Sequence, residues 1–214
     1  MAFGPIELRG SPEAKVVLTV FSDYQCPYCK RFARETEPLI EARYVDTGKI
    51  RIGFRHLPLE QIHPFARGAA IAAECANRQG RFWEMHRLLF DTPDKLSPEA
   101  ITAKAMQTGL EVVAFEACQS KGDASARIAS DVASAQLLKL TGTPALLVGR
   151  LVGDKIQYLS IFPGAASVED LSAALDSALA GSYRSYLFAT AVGLGFVGCS
   201  ALLLVRRRRR KQLS

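Results

Sequence analysis

The sequence predicts an α/β domain whose sheet is interrupted by an all-helical block and followed by one membrane-spanning helix. Three observations carry this. Residues 15–57 read strand, helix, strand. Residues 58–140 switch to helical periodicity, and apolar strands return at Pro144. Finally, the run from Tyr186 to Val205 holds 20 residues without a charge, enough to cross a hydrocarbon layer of about 30 Å.

Residues 1–14 form a short lead with turn chemistry at Gly10-Ser-Pro. The first ten residues have neither a basic n-region nor an apolar h-region, so they do not read as a signal peptide. Residues 15–22 (KVVLTVFS) are short, β-branched and almost continuously apolar, as in a buried strand. Cys26-Pro-Tyr-Cys29 follows, and then a helical pattern over 31–43 that is expected to kink or end near Pro38, where a backbone donor is missing. Residues 50–57 (IRIGFRHL) alternate and give a second strand, parallel to the first.

In the helical block, Phe82, Met85 and Leu89 mark one stripe. The chain breaks at Asp91-Thr-Pro-Asp. Ser97-Pro98-Glu99 is a helix start, with a serine N-cap and proline at the first helical position. Gly109 ends that helix, a short one carries Val113, Phe115 and Cys118, and another from about Asp123 aligns Ile128, Val132 and Ala135. Residues 144–149 and 155–162 then form an antiparallel pair around Gly153-Asp154. Ser167 caps a last helix with Val168, Leu171, Leu175 and Leu179 on one face, and Gly181 stands where a C-terminal glycine belongs.

The formal charge of +6 equals the six cations of residues 206–211 (RRRRRK), so the rest of the chain is neutral. A nucleic-acid binder needs a basic face on a folded domain, and this chain offers only its tail. The arginine run fits the cytoplasmic end of a membrane span, with Tyr183 and Tyr186 at the other interface. The row Ala191, Gly195, Cys199 is a weak small-residue packing signal.

There are five cysteines. Cys26 and Cys29 lie where a strand delivers them to the first turn of a helix. Free N–H groups and the positive end of the macrodipole favour a thiolate there. Half of a zinc site is the competing reading, but structural zinc takes four ligands and no second pair stands at zinc-ribbon spacing. Cys75 and Cys118 either form a second disulfide in an oxidising compartment or remain two buried thiols. His56, His63 and His86 lie outside the motif and read as structural or surface residues. Thr141-Gly-Thr-Pro144 precedes an apolar strand, with its Thr143–Pro144 bond either cis or in an ordinary trans turn.

Four segments in order resemble the DsbA-like branch of the thioredoxin superfamily: residues 21–32 around Cys26-Pro-Tyr-Cys29, residues 72–86 around Cys75, Phe115-Glu-Ala-Cys118, and Thr141-Gly-Thr-Pro144. The resemblance runs from about Gly10 to Ala180. It implies a thioredoxin-like domain over 10–57 and 141–181, an inserted helical domain over 58–140, a short linker over 182–185, the transmembrane helix over 186–205 and a basic tail over 206–214. It implies that Cys26 is the exposed nucleophile and Cys29 the buried resolving partner. Pro27 and Tyr28 would tune them. Thr143 and a cis Pro144 would hold substrate backbone. It asks for no cofactor and no metal. The implied activity is that of a membrane-anchored thiol–disulfide oxidoreductase acting on thiols of exported proteins, with a quinone-linked membrane redox partner. The alternatives are a reductase or isomerase, or a redox-inactive peptide-binding module. One departure stands out. The family pattern places an acid near the end of the first strand, whereas Val-Leu-Thr19-Val20-Phe21 has none, which leaves Asp23 or Glu35, through water, to manage the Cys29 proton.

Positive-inside logic puts the thiol domain on the extracytoplasmic, periplasmic side. Without a signal, either the start lies upstream of Met1 or the chain is tail-anchored and faces the cytosol, where a reductase role would follow.

Overall fold

The computed structural model describes residues 6–93 and 95–181. The expected span at 186–205, the linker and the basic tail lie outside the described residues. Among the described residues no helix is long and apolar enough to cross a membrane.

Strand β2 (Val16–Ser22) is the centre of a five-stranded sheet of order β1-β3-β2-β4-β5, and all seven of its residues are buried. β3 (Ile50–His56) runs parallel to it, with Val16 opposite Ile50 and Ser22 opposite His56. β4 (Ala145–Val152) lies antiparallel on its other side, and β5 (Lys155–Pro163) pairs antiparallel with β4. An almost continuously apolar strand thus occupies the centre of the sheet, buried on both faces. Val16, Leu18 and Val20 enter the larger core with Ile40, Leu171 and Leu175. Phe21 enters a smaller one with Leu57, Ala135, Ala145 and Leu147.

The chain's lead is more structured than expected. Glu7–Arg9 forms β1, antiparallel to β3. At Gly10, φ is +112° and a Cβ would stand 2.8 Å from the Ile50 carbonyl oxygen, so this turn needs glycine.

Pro38 does not end its helix. The segment runs from 27 to 45 as α1 (Pro27–Arg31), a π-helical turn (Phe32–Thr36), α2 (Glu37–Ile40) and a second π-helical turn (Glu41–Val45). Glu37 N–H reaches back to the Phe32 carbonyl, a widened turn that lets the helix absorb the missing proline donor without breaking.

The helical block comprises α3 (Ala66–Asn77), α4 (Phe82–Asp91), α5 (Pro98–Gln107), α6 (Val112–Ser120) and α7 (Asp123–Leu137), all between β3 and β4. Ser97 Oγ accepts from Ala100 N–H and Gly109 stands at φ +71°, as the start and stop signals require. α8 (Val168–Leu179) begins under Ser167, whose Oγ accepts from Asp170 N–H, and closes before Gly181 at φ +66°. Cys75 and Cys118 are disulfide-bonded, Cα atoms 5.7 Å apart, and tie α3 to α6.

Candidate active site

The loop from the end of β2 to the start of α1 carries the dithiol, and each of its residues is tethered. Asp23 is buried; its Oδ1 accepts from Gln25 N–H at 2.7 Å, and its Oδ2 accepts from Leu59 N–H at 2.8 Å and meets His63 Nδ1 at 2.8 Å. Tyr24 is buried, stacked on Phe54 with centroids 5.4 Å apart, and its hydroxyl meets His86 Nδ1 at 3.1 Å. Gln25 Oε1 accepts from Phe65 N–H at 2.9 Å. Three consecutive side chains thus fix the position from which Cys26 caps α1, with Pro27 at the helix entry.

Both sulfurs are free thiols here, which is the reduced state. Cys26 is 4% exposed and Cys29 fully buried, so the expected exposed nucleophile is instead recessed. The opposing loop explains this. The Thr143–Pro144 bond is cis, and the Thr143 carbonyl oxygen lies 3.5 Å from Cys26 Sγ. Cys26 remains the more accessible of the two. Beside it Tyr28 is 59% exposed, with the Arg31 guanidinium 5.5 Å from its ring.

The two sulfurs differ in how they hold a proton. A hydrogen bond from the Cys29 side chain, supported by the Thr143 side chain and by the backbone N–H groups of Cys29 and Tyr28, outweighs burial and draws the Cys26 thiol down to about 5. Burial pushes the Cys29 thiol far up, and the neighbouring Cys26 adds to the rise. At neutral pH the pair is therefore one thiolate and one thiol, matching the helix-start argument. The Ser22 and Thr143 side chains ease the ionisation of Cys29 without overcoming burial.

Asp23, expected as a proton manager, spends both oxygens on the loop, and Glu35 is exposed on a groove beside α1. The sequence reading missed Ser22, which only its place at the end of β2 marks. It also missed the tethers Tyr24 and Gln25, and Glu37. The carboxyl of Glu37 is buried, which raises it to about 8, with Glu41 adding to the rise; its Oε1 lies 3.9 Å from His86 Nε2. Cys75 and Cys118 belong to the helical block and not to this site. Among the described residues no cluster of three or more histidine, cysteine or carboxylate side chains could hold a metal ion.

The thioredoxin family model matches residues 6–177. The chain is 38% identical over 174 residues to the Na(+)/H(+) antiporter NhaA 3 of Salinispora tropica, covering 81% of this chain and 24% of that one. It is equally identical over 176 residues to NhaA 1 of Salinispora arenicola, covering 82% and 25%. It thus spans about a quarter of the length of these curated relatives. Among solved structures it resembles Wolbachia pipientis α-DsbA1, with TM-score 0.71, 23% identity, and 84% of this chain and 93% of that one covered. It also resembles a thioredoxin-like oxidoreductase from Silicibacter pomeroyi (0.68, 28%, 83% and 95%) and oxidised BdbD from Bacillus subtilis (0.69, 23%, 81% and 92%).

Proposed function

The chain belongs to the thioredoxin family and has the DsbA-like fold, and from that premise we propose that it is a protein thiol–disulfide oxidoreductase working in the oxidising direction. The observation that carries the reading is the Cys26 thiol, drawn down to about 5 at the start of α1 and facing the cis Thr143–Pro144 loop.

The steps balance as follows. In the oxidised protein a substrate thiolate attacks Cys26 Sγ. A substrate–Cys26 disulfide forms, the Cys26–Cys29 bond breaks, and the Cys29 sulfur takes a proton, as its burial favours. A second substrate thiolate then attacks the substrate sulfur and expels the Cys26 thiolate. Two electrons pass from substrate to the pair. A stabilised Cys26 anion is a good leaving group, and it makes the disulfide a strong oxidant. Pro27 and Tyr28 set the dipoles around that anion, and Thr143 and Pro144 present the backbone to which substrate pairs. Reoxidation falls to a quinone-linked membrane redox partner. The uncharged run from Tyr186 to Val205 serves as anchor, with the arginine tail cytoplasmic and the dithiol on the opposite side.

A second reading has its own support. In the relatives named NhaA the matching region is about a quarter of a much longer chain, so the dithiol's partner would be a membrane transporter rather than an exported protein.

The reduction potential of Cys26–Cys29 tests the direction: about −120 mV supports an oxidase, whereas about −270 mV makes the protein a reductase. Cys29→Ser should trap mixed disulfides with exported proteins, and traps containing only a transporter favour the second reading. Exchange that survives Cys26→Ser ends the assignment.

A further inference from the structure

We propose that a cationic groove beside the dithiol selects substrate polypeptides carrying acidic residues close to the reacting cysteine. This rests on the reading of Cys26 as the sulfur that substrates engage.

The groove encloses about 460 Å³ and is lined by Pro27, Lys30, Arg31, Arg34 and Glu35. It starts at Pro27, the residue after Cys26, within reach of a polypeptide joined to that sulfur. Positions 30, 31 and 34 come together on this groove across the junction of α1 and the following π-helical turn. Three cations thus face one carboxylate. Elsewhere several arginines stand against acids, Arg9 with Glu41, Arg55 with Asp131, Arg67 with Glu60 and Arg81 with Glu84, while Arg43 and Arg150 bond Ser172 Oγ and the Ala178 carbonyl. Among the described residues, Lys30, Arg31 and Arg34 have no carboxylate within ion-pair distance. Arg31 is held in place over the Tyr28 ring.

Charge decides the occupant. The chain's own tail at 206–211 is itself cationic, and a second copy would bring the same three cations. An acidic polypeptide segment is the complement, and such a groove raises its local concentration and encounter rate. A lipid headgroup would carry the same charge, but it would occupy the space a substrate needs beside Cys26.

The test uses the oxidised full chain in a non-ionic detergent. Three dithiol peptides of equal length carry acidic, neutral or basic residues around the cysteines, and loss of peptide thiol is followed. At low ionic strength the acidic peptide should react on the order of tenfold faster than the neutral one. The ratio should fall to about two near 0.5 M salt. It should drop about two- to threefold in Arg31→Gln or Arg34→Gln alone, and to about one in the Lys30→Gln/Arg31→Gln/Arg34→Gln variant. The ratio is the readout because any effect of the substitutions on Cys26 itself moves all three rates together. Equal native rates, or a ratio untouched by the substitutions, overturn the proposal. If no peptide reacts, the Cys26 reading itself fails and takes this one with it. If vesicles of phosphatidylcholine and phosphatidylglycerol, three to one, bind the native chain but not the triple variant, while the peptide ratio stays at one, the groove serves lipid and the proposal is overturned.

Discussion

At the start of α1 the fold draws a proton off a recessed sulfur; between α2 and α4 it holds one on a carboxyl and keeps an imidazole neutral. Both places are buried, so burial alone does not set the outcome. Cys26 is met by the Cys29 and Thr143 side chains and by backbone N–H groups, all of which favour an anion. Glu37 and His86 sit instead among Tyr24, Phe90 and the packed faces of two helices, beside a cavity of about 260 Å³. There burial pushes Glu37 up to about 8 and His86 down to about 3. The second cysteine pair belongs with the charge-excluding side. Cys75 and Cys118 have lost their protons to a covalent bond and serve only to close the helical block. Donors supplied to one face of a group, not its depth, distinguish a reactive thiol from an inert one.

The largest expected effect separates the two cysteine pairs. The Cys75–Cys118 bridge spans 43 residues, and the chain-entropy argument values such a closed loop at about 4 kcal/mol. Cys75→Ala with Cys118→Ala should therefore lower the urea midpoint sharply. At temperatures where the variant stays folded, dithiol exchange at Cys26 should remain within about twofold of the native rate. A large loss of exchange in folded protein would mean the helical block shapes the dithiol directly, and the contrast drawn here would fail.

A smaller effect tests the charge-excluding side. Glu37 has a folded-state pKa raised above its unfolded value, so its contribution to stability is complete below about pH 4.5 and is lost as pH rises toward 8. Glu37→Gln keeps the shape and removes the proton. The variant should match the native protein near pH 4.5 and exceed it by about 3 kcal/mol near pH 8, read from urea unfolding. Parallel stability curves across that window would show that Glu37 is solvated and that the region does not exclude charge.

Much of the fold could be read along the chain because the signals are local. Ser97 and Ser167 cap helices through their own hydroxyls, Gly109 and Gly181 stand at positive φ, and Cys26-Pro-Tyr-Cys29 and Thr143-Pro144 are short motifs whose residues are contiguous in the chain. What escaped depends on partners far away in sequence. β1 is three residues long, too short for any period. α3 is half alanine and shows no stripe. Glu37 sits in a charged helical stretch that looks solvated, and only the arrival of α4 buries it. Asp23 invited a catalytic reading, but backbone donors from residues 25 and 59 and the His63 ring make it a tether. The recess over Cys26 comes from a loop 117 residues away.

The smallest expected effect bears on the anion-favouring side itself. In the reduced protein, alkylation of Cys26 by iodoacetamide requires the thiolate. Its rate should titrate with a midpoint near 5, staying flat from about pH 6.5 to 9 and falling roughly tenfold by about pH 4. The sign for stability runs with it. The folded-state value is depressed, so the stabilisation of the reduced form is complete above the unfolded thiol's value of about 8.5 and disappears as pH falls through about 5. Reduced native protein should therefore gain on reduced Cys26→Ser with rising pH across that window. Cys29, whose pKa is raised, adds nothing to the slope there. An alkylation midpoint near 8.5 would mean that the N–H groups of α1 and the Thr143 side chain do nothing for the sulfur. The two buried regions would then differ only in depth, and the helix start could no longer account for the reactivity proposed for Cys26.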